Sequence, residues 1–148
     1  MRCLAALLAA FVLASCSSAL PTTTPAPVSD LVIPTTVPNG TVDVVVKSGY
    51  TVGETVRATV RLRPTSGTLR GPLDPFIQAS GFSGTVTVRS LTVDPVTASA
   101  GTPEMVVVAW DLRDDAGTAV GGDDYSLVFN VIDNTGRTAT VGVTLQVR

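Results

Sequence analysis

The chain has 148 residues, and its 10 Lys and Arg against 12 Asp and Glu give a formal net charge of −2. This balance offers no basic surface, so we expect no nucleic-acid partner. The chain contains no histidine, which excludes Ser-His-Asp and Cys-His nucleophile pairs and removes the commonest zinc ligand. We therefore expect a protein that is not an enzyme.

Near the N-terminus, an apolar run over residues 3–14 follows the positive charge of Arg2. The run is shorter than the roughly 20 residues of a bilayer-spanning helix, and it fits the apolar region of a secretory signal. It ends in Leu13-Ala14-Ser15-Cys16, which resembles the lipobox of bacterial lipoproteins. The resemblance implies that the signal peptide, residues 1–15, is removed and that the thiol of Cys16 is diacylated.

Lipidation of Cys16 would anchor the chain in a membrane of the bacterial cell envelope, facing outside the cytoplasm. Residue 17 is Ser, and the absence of Asp at that place resembles the outer-membrane class of Gram-negative lipoproteins. The second cysteine, Cys3, would leave with the signal. The mature chain would then contain no disulfide, so its stability would come from its core.

Residues 16–40 are rich in Pro, Thr and Ser, a composition typical of an extended, semi-rigid tether. Within this segment, Leu31-Val32-Ile33 is apolar enough to form a short first strand. We predict that the globular domain extends from residue 41 to residue 148.

From residue 41 onward, apolar and polar residues alternate with a period of two, which predicts half-buried strands. The phase slips after Val88, which predicts a β-bulge or a strand break at Arg89-Ser90. Turns are predicted at 114–117 and at 133–137, where Gly136 supplies the positive φ of a hairpin loop. With no helical period outside the signal, the pattern predicts an all-β fold, an antiparallel β-sandwich of about seven strands.

Three segments carry a resemblance to known modules: 110–117, 125–127 and 133–136. A Trp-Asp strand end, an Asp-Gly turn, a Tyr that opens the next strand and a Gly hairpin are similar to the Ig-like repeats of bacterial surface proteins and of flagellar hook-capping proteins. The resemblance implies an Ig-like sandwich. Tyr125 lies two residues before Leu127, which is the spacing of a tyrosine corner, and Trp110 is predicted in the core.

An acidic group is predicted to gather at one end of the sandwich. Its carboxylates could supply the oxygens that calcium prefers, and bacterial Ig-like modules sometimes bind calcium there. The alternative is that these side chains cap turns. A carboxylate pair of the glycosidase type would need a deep cleft, which a chain with few aromatic residues is not expected to form. The candidate calcium ligands are Asp111, Asp114, Asp115, Asp123 and Asp124.

A long segment without any period, residues 64–84, is unusually apolar for a loop. Loops of this length in small domains are often functional, so one interpretation is a contact surface for a protein partner. The other is that its side chains plug the open edge of the sandwich. The apolar residues are Leu69, Leu73, Phe76, Ile77 and Phe82.

These observations predict a membrane-anchored envelope lipoprotein that carries a non-catalytic Ig-like module with a binding or structural role and an envelope protein as its partner. The alternatives are an envelope proteinase inhibitor or a chaperone-like binder, which could add a partner strand to an exposed edge. A calcium-binding adhesion module is the more distant alternative. Calcium aside, no cofactor is expected.

Overall fold

A computed structural model describes residues 29–81 and 84–148 of the chain. This part consists of ten β-strands in two antiparallel sheets, and none of its segments forms a helix that could cross a bilayer. The strands are β1 (Asp30–Val37), β2 (Gly40–Lys47), β3 (Val56–Pro64), β4 (Thr68–Arg70), β5 (Phe76–Gly81), β6 (Gly84–Ser90), β7 (Thr97–Ser99), β8 (Glu104–Trp110), β9 (Asp124–Asp133) and β10 (Thr138–Gln146).

The two sheets pack face to face around one core, which confirms the predicted all-β sandwich. The four-stranded sheet has the order β1-β2-β3-β8, so β1 and β8 are its edges. In the six-stranded sheet, β9 is central, with β10 on one side and β5 on the other. Strand β6 extends the sheet beyond β5, while β4 pairs with the far end of β9 and is followed by β7.

The alternation of apolar and polar residues along the strands builds the core. In β3, Val56, Ala58, Val60 and Leu62 are buried, whereas the arginines between them lie on the outer face. Strands β9 and β10 repeat this pattern and supply most of the opposite wall of the core. The largest fully buried side chains include Trp110 and Phe129. Because the described residues contain no cysteine, packing between the sheets is the main source of their stability.

The sandwich begins earlier than residue 41. Strand β1 pairs with β2 along its whole length, from Asp30 opposite Lys47 to Val37 opposite Gly40. Pro34 lies within β1 and is tolerated because β1 is an edge strand, where a missing backbone N–H has no ladder partner to lose. The structure therefore places residues 30–40 of the predicted tether in the sandwich.

The segment 64–84, predicted as a loop, contains two strands, β4 and β5. Neither strand could be recognised from the alternation of apolar and polar residues, for physical reasons. Strand β4 has three residues only, and β5 has half-buried residues on both of its faces, so neither shows a clear period of two. Together with the three-residue strand β7, they raise the number of strands from about seven, as predicted, to ten.

The predicted slip of phase near Arg89-Ser90 corresponds to two features of β6. The strand ends at Ser90, and the β5–β6 register shifts between Ile77 and Gln78. Ile77 faces Arg89 and Gln78 faces Thr87, so Val88 is the extra residue of a bulge.

The two ends of the sandwich are distinct. At one end the chain passes from Ser29 into β1, and the backbone N–H of Arg148 donates to the carbonyl of Tyr50 at 2.8 Å. The opposite end contains the β1–β2 turn, in which Asn39 has a φ of 68°. The register through β2 and β3 places Glu104, the first residue of β8, toward this second end.

We expect Phe129→Ala to lower the free energy of unfolding by about 3–5 kcal/mol, because it removes a fully buried ring and leaves a cavity in the core. Urea denaturation followed by circular dichroism measures this loss. The control is Val86→Ala, at an exposed position of β6, where a change within about 0.5 kcal/mol is expected. Equal losses for the two variants would contradict the proposed core.

Candidate functional site

Two of the predicted site residues, Cys16 and Phe82, lie outside the described residues. Lipidation of Cys16 therefore stays a prediction from its sequence context.

Most of the apolar residues predicted as a contact surface are buried. Leu69 in β4, Leu73 in the connection before β5, and Ile77 in β5 have exposed fractions of 1% or less and belong to the core. Phe76 is half-buried. In this arrangement the described part of the segment closes the sandwich, and Leu69, Leu73 and Ile77 offer little area to a partner.

The first three predicted calcium ligands lie in the turn after β8, and two of them, Asp111 and Asp114, cap it. The Asp111 carboxylate accepts a hydrogen bond from the backbone N–H of Arg113 at 3.3 Å. The Asp114 carboxylate accepts one from the N–H of Thr118 at 2.7 Å. That of Asp115 reaches across to β6, where the N–H of Ser90 donates at 3.0 Å.

The other two ligands lie at the start of β9. The Asp123 carboxylate accepts from the N–H of Asp124 at 2.8 Å, and the Asp124 carboxylate forms an ion pair with Arg148 at 2.5 Å. In residues 29–81 and 84–148, no three His, Cys, Asp or Glu side chains come together in a group that could hold a metal ion. Calcium binding stays a prediction, and each of the five carboxylates has a structural role in its turn.

Two aromatic side chains fix both ends of this acidic loop. The rings of Trp110 and Tyr125 pack edge to face, with their centroids 5.0 Å apart. The indole N–H of Trp110 donates to the carbonyl of Arg113 at 2.8 Å, and the hydroxyl of Tyr125 donates to the carbonyl of Gly121 at 2.9 Å. The second bond has the geometry of a tyrosine corner. Burial, and secondarily the charge of Asp123, raises the pKa of Tyr125 above its ordinary value.

The β9–β10 hairpin depends on one buried carboxylate. Asp133 accepts hydrogen bonds from the hydroxyl of Thr135 at 2.7 Å and from the backbone N–H groups of Thr135 and Arg137 at 2.8 and 2.9 Å. The hydroxyl of Thr135, followed by these N–H groups, lowers the pKa of Asp133 below its ordinary 3.8. The carboxylate is thus held ionised in the folded chain.

An open groove lies along β8. A groove of about 650 Å³ separates residues 104–107 of this edge strand from the segment 92–97. On the outer face of β8, Met105 and Val107 are 64% and 49% exposed. The groove therefore combines an apolar rim with the free edge of a sheet.

A second groove, of about 380 Å³, adjoins the first and lies on the outer face of the four-stranded sheet. It is lined by Arg61 and Arg63 together with Pro64, Pro103 and Glu104. The Nε of Arg63 lies 3.0 Å from a carboxylate oxygen of Asp43. The Asp43 carboxylate therefore balances the charge of Arg63.

Sequence reasoning did not find the groove beside β8. The run EMVVVAW of this strand is apolar on both faces, which is the pattern of a strand covered on both faces. Nothing in the sequence says that this strand lies at an edge. The available signal in the sequence was the apolar identity of Met105 and Val107, since alternation alone would place polar residues at these two positions.

We expect Asp133→Asn to destabilise the chain at pH 6, because a neutral amide accepts weaker hydrogen bonds than a carboxylate. The pKa of Asp133 is lower in the folded chain, so its stabilisation is complete above pH 3.8, its ordinary value, and is lost as the pH falls through the folded pKa. The difference between wild type and variant should therefore shrink from pH 6 to pH 2.5 in urea denaturation. Asp94→Asn, at an exposed site, is the control. A difference independent of pH would contradict this role of Asp133.

Comparison with known proteins shows weak likenesses only. No family model and no curated protein matches the chain. Among solved structures, an alkylpurine DNA glycosylase from Pseudomonas fluorescens is 16% identical with a TM-score of 0.44, over 67% of this chain and 28% of that one. A β-glucosidase from Listeria innocua is 11% identical with a TM-score of 0.41, over 80% of this chain and 16% of that one. This chain spans less than a third of either protein, and likenesses of this size carry no conclusion about its activity.

Proposed function

We propose that this chain is a lipid-anchored protein of the bacterial cell envelope and that its β-sandwich is a non-catalytic binding module. The observation that carries the anchor is Leu13-Ala14-Ser15-Cys16 directly after an apolar run that is too short to span a bilayer. The first strand begins at Asp30. Residues 17–29 therefore separate the proposed lipid from the folded module.

The non-catalytic part of the proposal is supported by the chain's chemistry. Histidine is missing from the sequence, and the aspartates of the 111–124 loop accept hydrogen bonds from backbone N–H groups or pair with Arg148. Carboxylates used in this way stabilise turns. The open edge of β8 and its groove favour binding over a purely structural role.

Metabolic labelling tests the anchor. The full chain is produced in a bacterium fed with an alkyne-tagged fatty acid, and labelled protein is detected after coupling to a fluorophore. We expect label on the wild type and none on Cys16→Ser, because the thiol is the acylated group. The matched control is Cys3→Ser, which changes the cysteine of the predicted signal and should leave the label unchanged.

Mass spectrometry of the labelled protein should also place its N-terminus at Cys16. Undiminished label on Cys16→Ser, or cleavage at another residue, would refute the lipid anchor.

A further inference from the structure

Strand β8 is apolar on both faces, yet it lies at the edge of its sheet. Its inward residues Val108 and Trp110 are buried, while Met105 and Val107 face outward and are largely exposed. Natural proteins usually protect an edge strand with charged residues, proline or a bulge. Within 104–110, only the first residue, Glu104, is charged, and the register with β3 is continuous.

The backbone of β8 has unused hydrogen-bonding groups. An edge strand directs only half of its N–H and C=O groups toward its neighbour, which here is β3. In the described part of the chain, the backbone hydrogen bonds outside the strand ladders involve none of the residues 104–110. A row of alternating donors and acceptors is matched best by another extended backbone.

The groove has the length of a short added strand. Residues 104–107 span about 13 Å at the rise of a β-strand. The opposite wall, segment 92–97, brings Val93 and Val96 against the core. An incoming strand would therefore set alternate side chains on Val93 and Val96 and the others beside Met105 and Val107.

The negative charge of the groove favours extended partners that carry positive charge. Its lining residues include two carboxylates, Asp94 and Glu104, and neither Lys nor Arg. Arg61 lies on the neighbouring strand β3, opposite Met105, on the side of β8 away from the groove. A strand that carries Lys or Arg is thus favoured over an acidic one.

We propose that β8 binds an extended segment of a partner protein, which adds to the four-stranded sheet as a fifth strand. The segment alternates apolar residues with polar ones and carries a basic residue that pairs with Asp94 or Glu104. This inference deepens the binding role in the proposed function by naming the class of partner. It does not depend on acylation, so labelling of Cys16 and binding at β8 can fail separately.

Fluorescence polarisation tests the proposal with a labelled peptide of about nine residues in which Val alternates with Thr and Lys. The full chain, extracted in mild detergent, should bind it and should bind a glutamate counterpart more weakly. A peptide N-methylated along its core cannot pair by its backbone and should not bind. Amide hydrogen exchange should slow within 104–107 when the first peptide is bound.

Two variants and one control locate the site. Met105→Ser with Val107→Ser removes exposed apolar contacts and should weaken binding about tenfold. Asp94→Asn with Glu104→Gln should weaken it about two- to fivefold and reduce its dependence on salt. Val86→Ser, an equally exposed valine on the other sheet, should leave the affinity unchanged.

Three results would overturn the proposal. One is equal binding of the N-methylated peptide, and another is wild-type affinity in the Met105→Ser, Val107→Ser variant. The third is a dimer in analytical ultracentrifugation that the same variant dissociates, because β8 would then be occupied by a second copy of the chain.

Discussion

The edge-to-face contact between Trp110 and Tyr125 holds the parts of this molecule in their relative positions. Trp110 is the last residue of β8 in one sheet and Tyr125 is the second residue of β9 in the other, so the contact joins the two sheets across the core. The polar atom of each ring donates to a carbonyl of the intervening loop. The same pair of residues thus fixes the end of the open strand and the shape of the acidic loop.

The polar groups at the surface of the sandwich differ in whether they have partners. The carboxylates of the loop accept hydrogen bonds from its own backbone and from Ser90 of β6, or pair with Arg148. In contrast, the outward N–H and C=O groups of the edge strand β8 have no backbone partner in the described part of the chain. The binding proposed for β8 uses the main chain of this edge strand and two exposed apolar side chains, Met105 and Val107.

Much of the fold could be predicted from alternation, and the reasons for the failures are physical. Strands β3, β9 and β10 have one buried face and one more exposed face, so a period of two marks them. Strand β4 is too short to show a period, and its partner in the sheet is a strand far along the chain. Proline in β1 suggested a tether, since the sequence alone does not tell an edge strand from an extended linker. The turn within the acidic loop could be predicted from the sequence, but the hydrogen-bond partners of its carboxylates could not. The groove was missed because edge position depends on the order of strands, which alternation does not encode.

The register of the four-stranded sheet also places the start of β1 and the open part of β8 at opposite ends of the sandwich. The chain passes into β1 at Asp30, and β1 runs about 25 Å along the sandwich before its turn at Val37–Gly40. Glu104 and the open part of β8 lie toward that turn. A lipid on Cys16 would hold the sandwich by its Asp30 end. The groove would then stand on the side remote from the bilayer, accessible to molecules that approach from across the envelope and shielded from those confined to the same membrane surface.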